Sequence, residues 1–192
     1  MSSPEEKQQY TYADYHEYGD NERWELIEGV PCAMSPSPPT VHQDISRELT
    51  CQLAAFLKGK PYRLFAAPFD VRLNADGDNN TVVQPDLVVI CDRSKIDEKG
   101  CKGAPDMVIE ILSPATARRD RMVKFNQYRQ AGVREYWIAD PDTKTVQTCI
   151  LRDGLYVIAM YCDTDTVPVH VLDGCMIDLH PVFEEWNEES NN

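Results

Sequence analysis

An α/β fold, with a mixed central β-sheet flanked by helices, is predicted from three features of the sequence. Two apolar β-type runs, 81–90 and 104–114, lie close together in the middle of the chain. A long amphipathic helix is predicted before them, over 40–58, and a second helix with further strands after them. Strands and helices arranged in this order are typical of a sheet that is covered by helices.

The size and composition of the chain fit a single soluble domain. Its 192 residues, 42% of them hydrophobic, can bury a core that needs no disulfides. We predict a flexible or partly helical N-terminal segment over 1–20, one domain over 21–182 and an acidic tail over 183–192. The seven scattered cysteines include no CxxC pair, and no segment resembles a signal peptide or a membrane span. These features predict a cytoplasmic protein.

The net charge of −13 argues against nucleic-acid binding by the surface as a whole, because such binding normally uses positive charge. The acidic residues, however, concentrate towards both ends of the chain. Basic residues crowd into one later segment: Arg118, Arg119, Arg121, Lys124, Arg129 and Arg134. A local basic surface on an acidic protein is therefore expected there.

A β-hairpin is predicted near the amino terminus. The runs 24–28 and 30–34 flank the pair Glu28-Gly29, and glycine readily adopts the positive φ that a tight turn needs. We expect Glu25 and Glu28 to face solvent.

A long helix is predicted after the proline-rich loop 35–39, with Thr40 as its N-cap. Its apolar residues share one broad arc at about 100° per residue. His42 falls near the middle of this arc, so it is expected to be either a core histidine or a group beside the functional site. Glu48 lies at the edge of the same arc.

The segment between this helix and the two apolar runs is predicted to be a strand over 62–73, interrupted near Pro68. A polar turn over 74–80 follows it. The connection 92–103, between the two runs, is charged and is expected to be exposed.

Each of the two apolar runs contains a carboxylate, Asp86 in the first and Glu110 in the second. An ionised carboxylate among apolar strand residues needs a cation, a metal or several hydrogen-bond donors. Two such acids on neighbouring strands would also repel each other. A divalent cation between them would resolve both problems, and carboxylate oxygens suit Mg²⁺ or Mn²⁺.

The helix predicted over 117–131, which ends at Gly132, carries Asp120 and Lys124. An ammonium group near a metal-bound water can orient that water or stabilise the charge that develops on a phosphate. The alternative for Asp120 and Lys124 is a surface ion pair that stabilises the helix by ~0.3–0.5 kcal/mol. The rest of the chain is predicted to form strands over 134–139, 145–151 and 155–161, and then a last strand pair or loop.

The segments around these residues resemble the Uma-two family of restriction-endonuclease-like proteins. The matching segments are Trp24-Glu-Leu-Ile-Glu-Gly, Gln84-Pro-Asp-Leu-Val-Val, Ala104-Pro-Asp-Met-Val-Ile-Glu-Ile-Leu-Ser-Pro, Asp120-Arg-Met-Val-Lys and Gly132-Val-Arg-Glu-Tyr-Trp. The family belongs to the PD-(D/E)XK nuclease-like group. The resemblance therefore implies a restriction-endonuclease-like fold with both acids at one end of adjacent strands.

The function that this resemblance implies is a magnesium- or manganese-dependent endonuclease acting on DNA. It makes Asp86 and Glu110 metal ligands and catalytic residues, with the backbone carbonyl of Ile111 completing the coordination. The parent pattern has a lysine two residues after the second acid, where this chain has Leu112. Lys124, on the following helix, would replace that lysine as a catalytic residue. Three residues are supporting candidates: His42, Glu48 and Asp120.

A second hypothesis is a non-catalytic interaction module with the same fold, with a homodimer among its expected assemblies. The missing strand lysine and the acidic composition favour it. Lys124 pointing into solvent would support the module, whereas an open cleft shared by Asp86, Glu110 and Lys124 would support a nuclease. A closed pocket would instead indicate hydrolysis of a small phosphorylated compound. Asp106, at the start of its strand, is expected to be a structural cap.

Overall fold

The computed structural model describes residues 9–17, 24–34 and 37–184. Its α-helices are α1 (Tyr12–Glu17), α2 (Thr40–Leu57) and α3 (Phe125–Ala131), with a 3-10 turn at Arg93–Lys95 and a π-helical turn at Arg119–Lys124. The strands are β1 (Trp24–Ile27), β2 (Val30–Ala33), β3 (Arg63–Ala66), β4 (Val71–Arg72), β5 (Val82–Val83), β6 (Leu87–Ile90), β7 (Ile96–Asp97), β8 (Gly100–Lys102), β9 (Met107–Ile111), β10 (Glu135–Asp140), β11 (Thr145–Arg152), β12 (Leu155–Cys162), β13 (Thr166–Pro168) and β14 (Met176–Asp178).

Within the described residues, the β structure consists of two six-stranded sheets and one two-stranded sheet. The strand order is β2-β1-β5-β4-β8-β7 in the first sheet and β12-β11-β10-β9-β6-β3 in the second, while β13 pairs with β14. In the second sheet β9 pairs with β10 in parallel and with β6 antiparallel. The predicted α/β fold with a mixed central sheet is therefore confirmed.

The first apolar run divides between the two sheets at Pro85. Val82 and Val83 form β5 in the first sheet, and β6 begins at Leu87 in the second. Because proline has no amide hydrogen, it cannot continue a ladder of backbone hydrogen bonds, and the chain changes sheet there. Asp86 consequently lies at the start of β6, close to the first sheet.

The core has two main apolar clusters, and alternate side chains of β9 belong to different ones. Met107, Ile109 and Ile111 join the cluster that includes the apolar side of α2. Val108 joins the cluster that includes Tyr128 of α3. Since side chains alternate along a strand, Glu110 lies on the same face as Val108 and is directed towards the helical segment that carries α3.

One sequence-based expectation about local structure is wrong, and a second is incomplete. The residue at the N-cap of α2 is Pro39, and no side chain caps this helix end, so Thr40 is its first helical residue. The connection 92–103 is mostly exposed, as expected, but it also contains the β7–β8 hairpin, in which Gly100 is buried. Gly100 packs on the backbone of Asp70 so closely that a Cβ atom would not fit.

The predicted terminal segments fall largely on residues 1–8 and 185–192, which are outside the described residues. Within the described part of the N-terminal segment, α1 is helical. At the other end Phe183 is buried in the core. Among the described residues, no helix combines the length and the hydropathy that a membrane crossing requires.

Candidate active site

A cleft of about 430 Å³ lies between the start of α2, the adjoining ends of β6 and β9, and the π-helical turn. Six of the seven candidate site residues line it: Asp86, Glu110, Ile111, Lys124, His42 and Asp120. The seventh, Glu48, accepts hydrogen bonds from Arg47 and Gln52 on α2 instead. The rim includes exposed residues such as Gln43 and Pro114, so the cleft is open to solvent.

The register of the second sheet brings the two strand acids together. Leu87 pairs with Ile109 in the antiparallel β6–β9 ladder. Continuing this register by one residue places Asp86 opposite Glu110, and directly opposed side chains of antiparallel strands lie on the same face. Asp86 Oδ2 accepts a hydrogen bond from the amide of Ile111 at 2.7 Å.

His42 lies beside Asp86, which agrees with the second of its two sequence-based interpretations. The distance from His42 Nε2 to Asp86 Oδ2 is 3.2 Å, and the histidine is 8% exposed. The first turn of α2 brings it there, because its side chain projects from the helix face that packs on the second sheet. His42 Nδ1 is buried and has no hydrogen-bond partner among the described residues.

Lys124 is buried among carboxylates. Its Nζ lies 2.7 Å from Glu25 Oε1, 2.8 Å from Glu110 Oε1 and 3.6 Å from Asp120 Oδ1. Only 3% of the residue is exposed. The interpretation of Asp120 and Lys124 as a surface ion pair is therefore wrong, because both side chains are buried.

The helical segment that carries Lys124 starts with an unusual local geometry. Over Arg119–Lys124 the backbone is π-helical, and the amide of Phe125 bonds to the carbonyl of Asp120. A π-helical turn contains an extra residue and is frequent at functional sites. Here it allows Asp120 and Lys124 to point into the cleft, while α3 continues with Tyr128 on the same side.

Glu25 is the site residue that sequence reasoning missed. It was expected to face solvent, but it is 1% exposed, because β1 has neighbours on both sides in the first sheet. Besides its contact with Lys124, Glu25 Oε1 accepts a hydrogen bond from the amide of Gln84 at 3.0 Å. The sequence signal for Glu25 is the same as for Asp86 and Glu110, because each is a carboxylate inside an apolar strand.

Two buried tyrosines donate hydrogen bonds to Glu110 and Asp120 from the side of the core. The Tyr128 hydroxyl donates to Glu110 Oε1 at 2.6 Å, and the Tyr136 hydroxyl donates to the carbonyl oxygen of Asp120 at 3.1 Å. Burial and the nearby Glu110 raise the pKa of both tyrosines well above the usual value. They therefore remain protonated and act as hydrogen-bond donors.

Negative charge exceeds positive charge in the cleft. Two cations, Lys124 and Arg119, face four carboxylates, which are Glu25, Asp86, Glu110 and Asp120. When all four carboxylates are ionised, they outnumber the lysine and the arginine by two. Two buried carboxylate oxygens, Glu25 Oε2 and Asp120 Oδ1, accept no hydrogen bond within the described residues.

This imbalance determines how the buried groups titrate. Burial raises the pKa of Glu110 well above its usual value, and neighbouring carboxylates add to the effect although Lys124 opposes it. Burial likewise raises the pKa of Asp120. Burial alone would lower the pKa of Lys124, but three carboxylates outweigh it and raise that pKa, so the lysine keeps its proton.

We expect the free energy of unfolding to fall as the pH rises through the folded-state pKa values of Glu110 and Asp120. Each of these folded-state pKa values lies above the unfolded-state pKa of the same residue. At a pH between the unfolded-state and the folded-state pKa, the native state therefore binds more protons than the unfolded state. This contribution is fully present below the unfolded-state value, about 4, and is lost at higher pH. Urea unfolding in EDTA should show a flatter pH dependence for Glu110→Gln, and an identical dependence would contradict the assignment.

The site residues fit a divalent cation. No three His, Cys, Asp or Glu side chains form a ready metal cluster in the described part of the chain, but Mg²⁺ is commonly held by one or two carboxylates together with waters and substrate phosphates. Asp86 and Glu110 supply hard oxygen ligands. The amide and carbonyl of a strand residue point to the same side, so the carbonyl of Ile111 faces Asp86 as its amide does. The excess negative charge also favours a divalent cation.

Not all of the expected basic residues belong to the site. Lys124 and Arg119 line the cleft. Arg121 instead pairs with Asp140, and Arg134 pairs with Asp106 at the other end of β9. Asp106 also accepts a hydrogen bond from the amide of Cys91 at 2.6 Å, as expected for a structural cap.

The mixed sheet and the acid-lined cleft are those of a restriction-endonuclease-like protein. A family model described as "Uma2: Putative restriction endonuclease" matches residues 11–180, so the chain belongs to this family. The predicted family is thereby confirmed, and its description supports a nuclease.

A solved structure with the same fold comes from Anabaena variabilis ATCC 29413 and is described as "a putative nuclease belonging to DUF820". The two chains are 22% identical with a TM-score of 0.73, over 90% of this chain and 97% of that chain. At this level of identity the likeness shows the fold alone. No curated protein matches this chain.

Proposed function

We propose that this protein is a metal-dependent endonuclease that hydrolyses phosphodiester bonds in DNA. The observation that carries the proposal is the convergence of Asp86, Glu110 and Lys124 in one open cleft. Family membership supports a nuclease, and the composition of the cleft supports the metal. The proposed substrate, DNA, follows from the family description and from the open rim, which a polymer can enter.

Asp86 and Glu110, with the carbonyl of Ile111, would hold Mg²⁺ or Mn²⁺. When bound, the ion supplies a water of lowered pKa and positive charge for the phosphate. His42 and the amide of Ile111 hold the carboxylate of Asp86, and Tyr128 holds that of Glu110. These contacts keep both ligands in place before a metal binds.

Lys124 would orient the attacking water or stabilise the charge that develops on the phosphoryl oxygens. Its ammonium is protonated and held by Glu25 and Glu110, so it is already positioned when substrate arrives. The role of Glu25 is positional: it shares the ammonium with Glu110 and is itself anchored by the amide of Gln84. Arg119 adds a second positive charge at the cleft wall.

The metal site is tested by calorimetric titration of Mn²⁺ into the native protein and into Asp86→Asn. We expect the native protein to bind and the variant to bind at least ~10-fold more weakly, because the substitution removes a charged ligand without changing its shape. Asp44→Asn, an exposed acid on α2, is the matched control and should bind normally.

Equal binding by the native protein and Asp86→Asn would place the metal elsewhere. Failure of every protein to bind, even with duplex DNA present, would contradict the metal-dependent mechanism and favour the interaction module. The buried position of Lys124 argues for the nuclease instead. A homodimer stays a prediction, and light scattering of the purified protein measures it directly.

A further inference from the structure

A second cavity, of about 400 Å³, adjoins the candidate active site and shares Gln84 with it. Its walls come from α1, from the β7–β8 hairpin and from the segment that follows β3. That segment passes from one site to the other. Ala66 and Ala67 line the active-site cleft, whereas Phe65 and Phe69 line the second cavity.

The apolar wall of this cavity is a stacked aromatic pair. The rings of Phe65 and Phe69 lie parallel, with 4.1 Å between their centroids and 3° between their planes. Both side chains are only partly buried and both contribute to the cavity surface. A flat aromatic surface of this kind can stack with any nucleobase, whatever the sequence of the strand.

The polar wall of the cavity is acidic. Asp70, Asp97 and Glu98 line it together with Lys99 and His16. Arg72 forms an ion pair with Asp97, so Asp70 and Glu98 are the acids of this wall that have no ion pair among the described residues. This charge disfavours a phosphate group, but carboxylates accept hydrogen bonds from the exocyclic amino groups of adenine, cytosine and guanine. The cavity therefore suits an uncharged base whose phosphates lie outside it.

Asp70 is fixed in place by two hydrogen bonds to one of its carboxylate oxygens. Its Oδ1 accepts hydrogen bonds from the Tyr15 hydroxyl at 3.2 Å and from Gln84 Nε2 at 2.8 Å. The second carboxylate oxygen, Oδ2, is also a hydrogen-bond acceptor. A base that lies against the phenylalanine pair can therefore donate an amino hydrogen to Asp70.

The cavity is within one nucleotide of the proposed metal ligands. Gln84 precedes Asp86 by two residues, which span at most about 7 Å in an extended chain. On the other side, the amide of Ala67 donates to the carbonyl oxygen of Asp86 at 3.0 Å. A base held in the cavity would thus belong to a nucleotide next to the phosphate in the cleft.

We propose that this cavity binds an unpaired base of the substrate strand, so that the substrate is single-stranded or locally unpaired DNA. The proposal rests on the nuclease function proposed above. In an intact duplex the base is stacked and paired, and taking it out costs free energy that an unpaired strand does not require. The acidic wall adds a preference for amino-bearing bases over thymine.

The test measures binding of fluorescently labelled hexadeoxyadenylate and hexathymidylate in EDTA, which prevents cleavage. We expect the adenylate to bind more tightly than the thymidylate to the native protein. In Phe69→Ala the affinity for the adenylate should fall by ~5- to 150-fold, the range for loss of one stacking contact. Phe56→Ala, at a partly buried phenylalanine on α2 that lines neither cavity, is the matched control and should bind as the native protein does.

Equal affinity of the native protein and Phe69→Ala would overturn the proposal, as would the absence of any hexanucleotide binding. Asp70→Asn provides a second test that keeps the aromatic pair and can still accept the bonds from Tyr15 and Gln84. It should reduce the preference for adenylate over thymidylate, and an unchanged preference in a folded variant would contradict the role of the acidic wall.

Cleavage of duplex and single-stranded DNA in Mn²⁺ separates this proposal from the proposed function. Cleavage that does not depend on Phe69 would overturn the proposal that the cavity binds a base, and it would leave the proposed nuclease function standing. Binding of hexadeoxyadenylate that depends on Phe69, without any metal-dependent cleavage, would overturn the nuclease and leave the cavity as a nucleic-acid binding site.

Discussion

Glu110→Gln is expected to lower the rate of DNA cleavage by ~10²- to 10³-fold, the loss typical when a group that stabilises transition-state charge is removed. Glutamine keeps the volume of the side chain, and its carbonyl can still accept the hydrogen bond from Tyr128. It lacks the negative charge that the glutamate offers to the metal and to Lys124. Cleavage of a supercoiled plasmid and of a single-stranded oligonucleotide in Mn²⁺ measures the effect.

Glu48→Gln is the matched control for this substitution. Glu48 was a supporting candidate in the sequence, but its carboxylate is held by neighbouring side chains on α2 and does not line the cleft. Its substitution should leave the cleavage rate within about twofold. Comparable losses in both variants, or activity that persists in Glu110→Gln, would contradict the role assigned to Glu110.

Lys124→Met is expected to destabilise the folded protein by ~3–5 kcal/mol, the cost of leaving buried charges without their partner. The substitution keeps most of the apolar stem but removes the ammonium from three carboxylates. Those carboxylates are Glu25, Glu110 and Asp120, all of which are nearly inaccessible to solvent. Urea unfolding at neutral pH measures the change in free energy.

Lys102→Met provides the comparison, because Lys102 pairs with Asp76 on the surface and such pairs contribute ~0–1 kcal/mol. The double variant Lys124→Met/Glu110→Gln should recover part of the stability that Lys124→Met loses, since it removes one uncompensated charge. If Lys124→Met costs no more than Lys102→Met, the carboxylates do not depend on this ammonium for their burial.

The candidate acids Asp86 and Glu110 could be found from the sequence because their signal is local. A carboxylate within an apolar strand must find compensation wherever that strand lies in the fold. The same signal is present at Glu25, but this acid of the predicted hairpin was expected to face solvent. Its burial depends on β5, which pairs with β1 from more than fifty residues away.

The role of Lys124 shows a similar division between local and tertiary information. The helix over 117–131 and its end at Gly132 follow from periodicity and from glycine in the left-handed conformation. Its first turn is π-helical, which periodicity does not reveal, and this turn directs Asp120 and Lys124 into the cleft. Without the family resemblance, the sequence favoured an ordinary surface ion pair for Asp120 and Lys124.

The sequence by itself determined the α/β class, the order of most strands and helices, and the identity of Asp86 and Glu110 as candidate site residues. These properties follow from hydrophobic period, turn residues and the cost of a charge among apolar neighbours, all of which act over a few residues. Only the tertiary structure decided that β6 and β9 pair antiparallel, that Glu25 joins Lys124, and that a second cavity adjoins the cleft. Those properties depend on which distant segments become neighbours. The pairing of two distant strands within a sheet is not encoded in any single stretch of the chain.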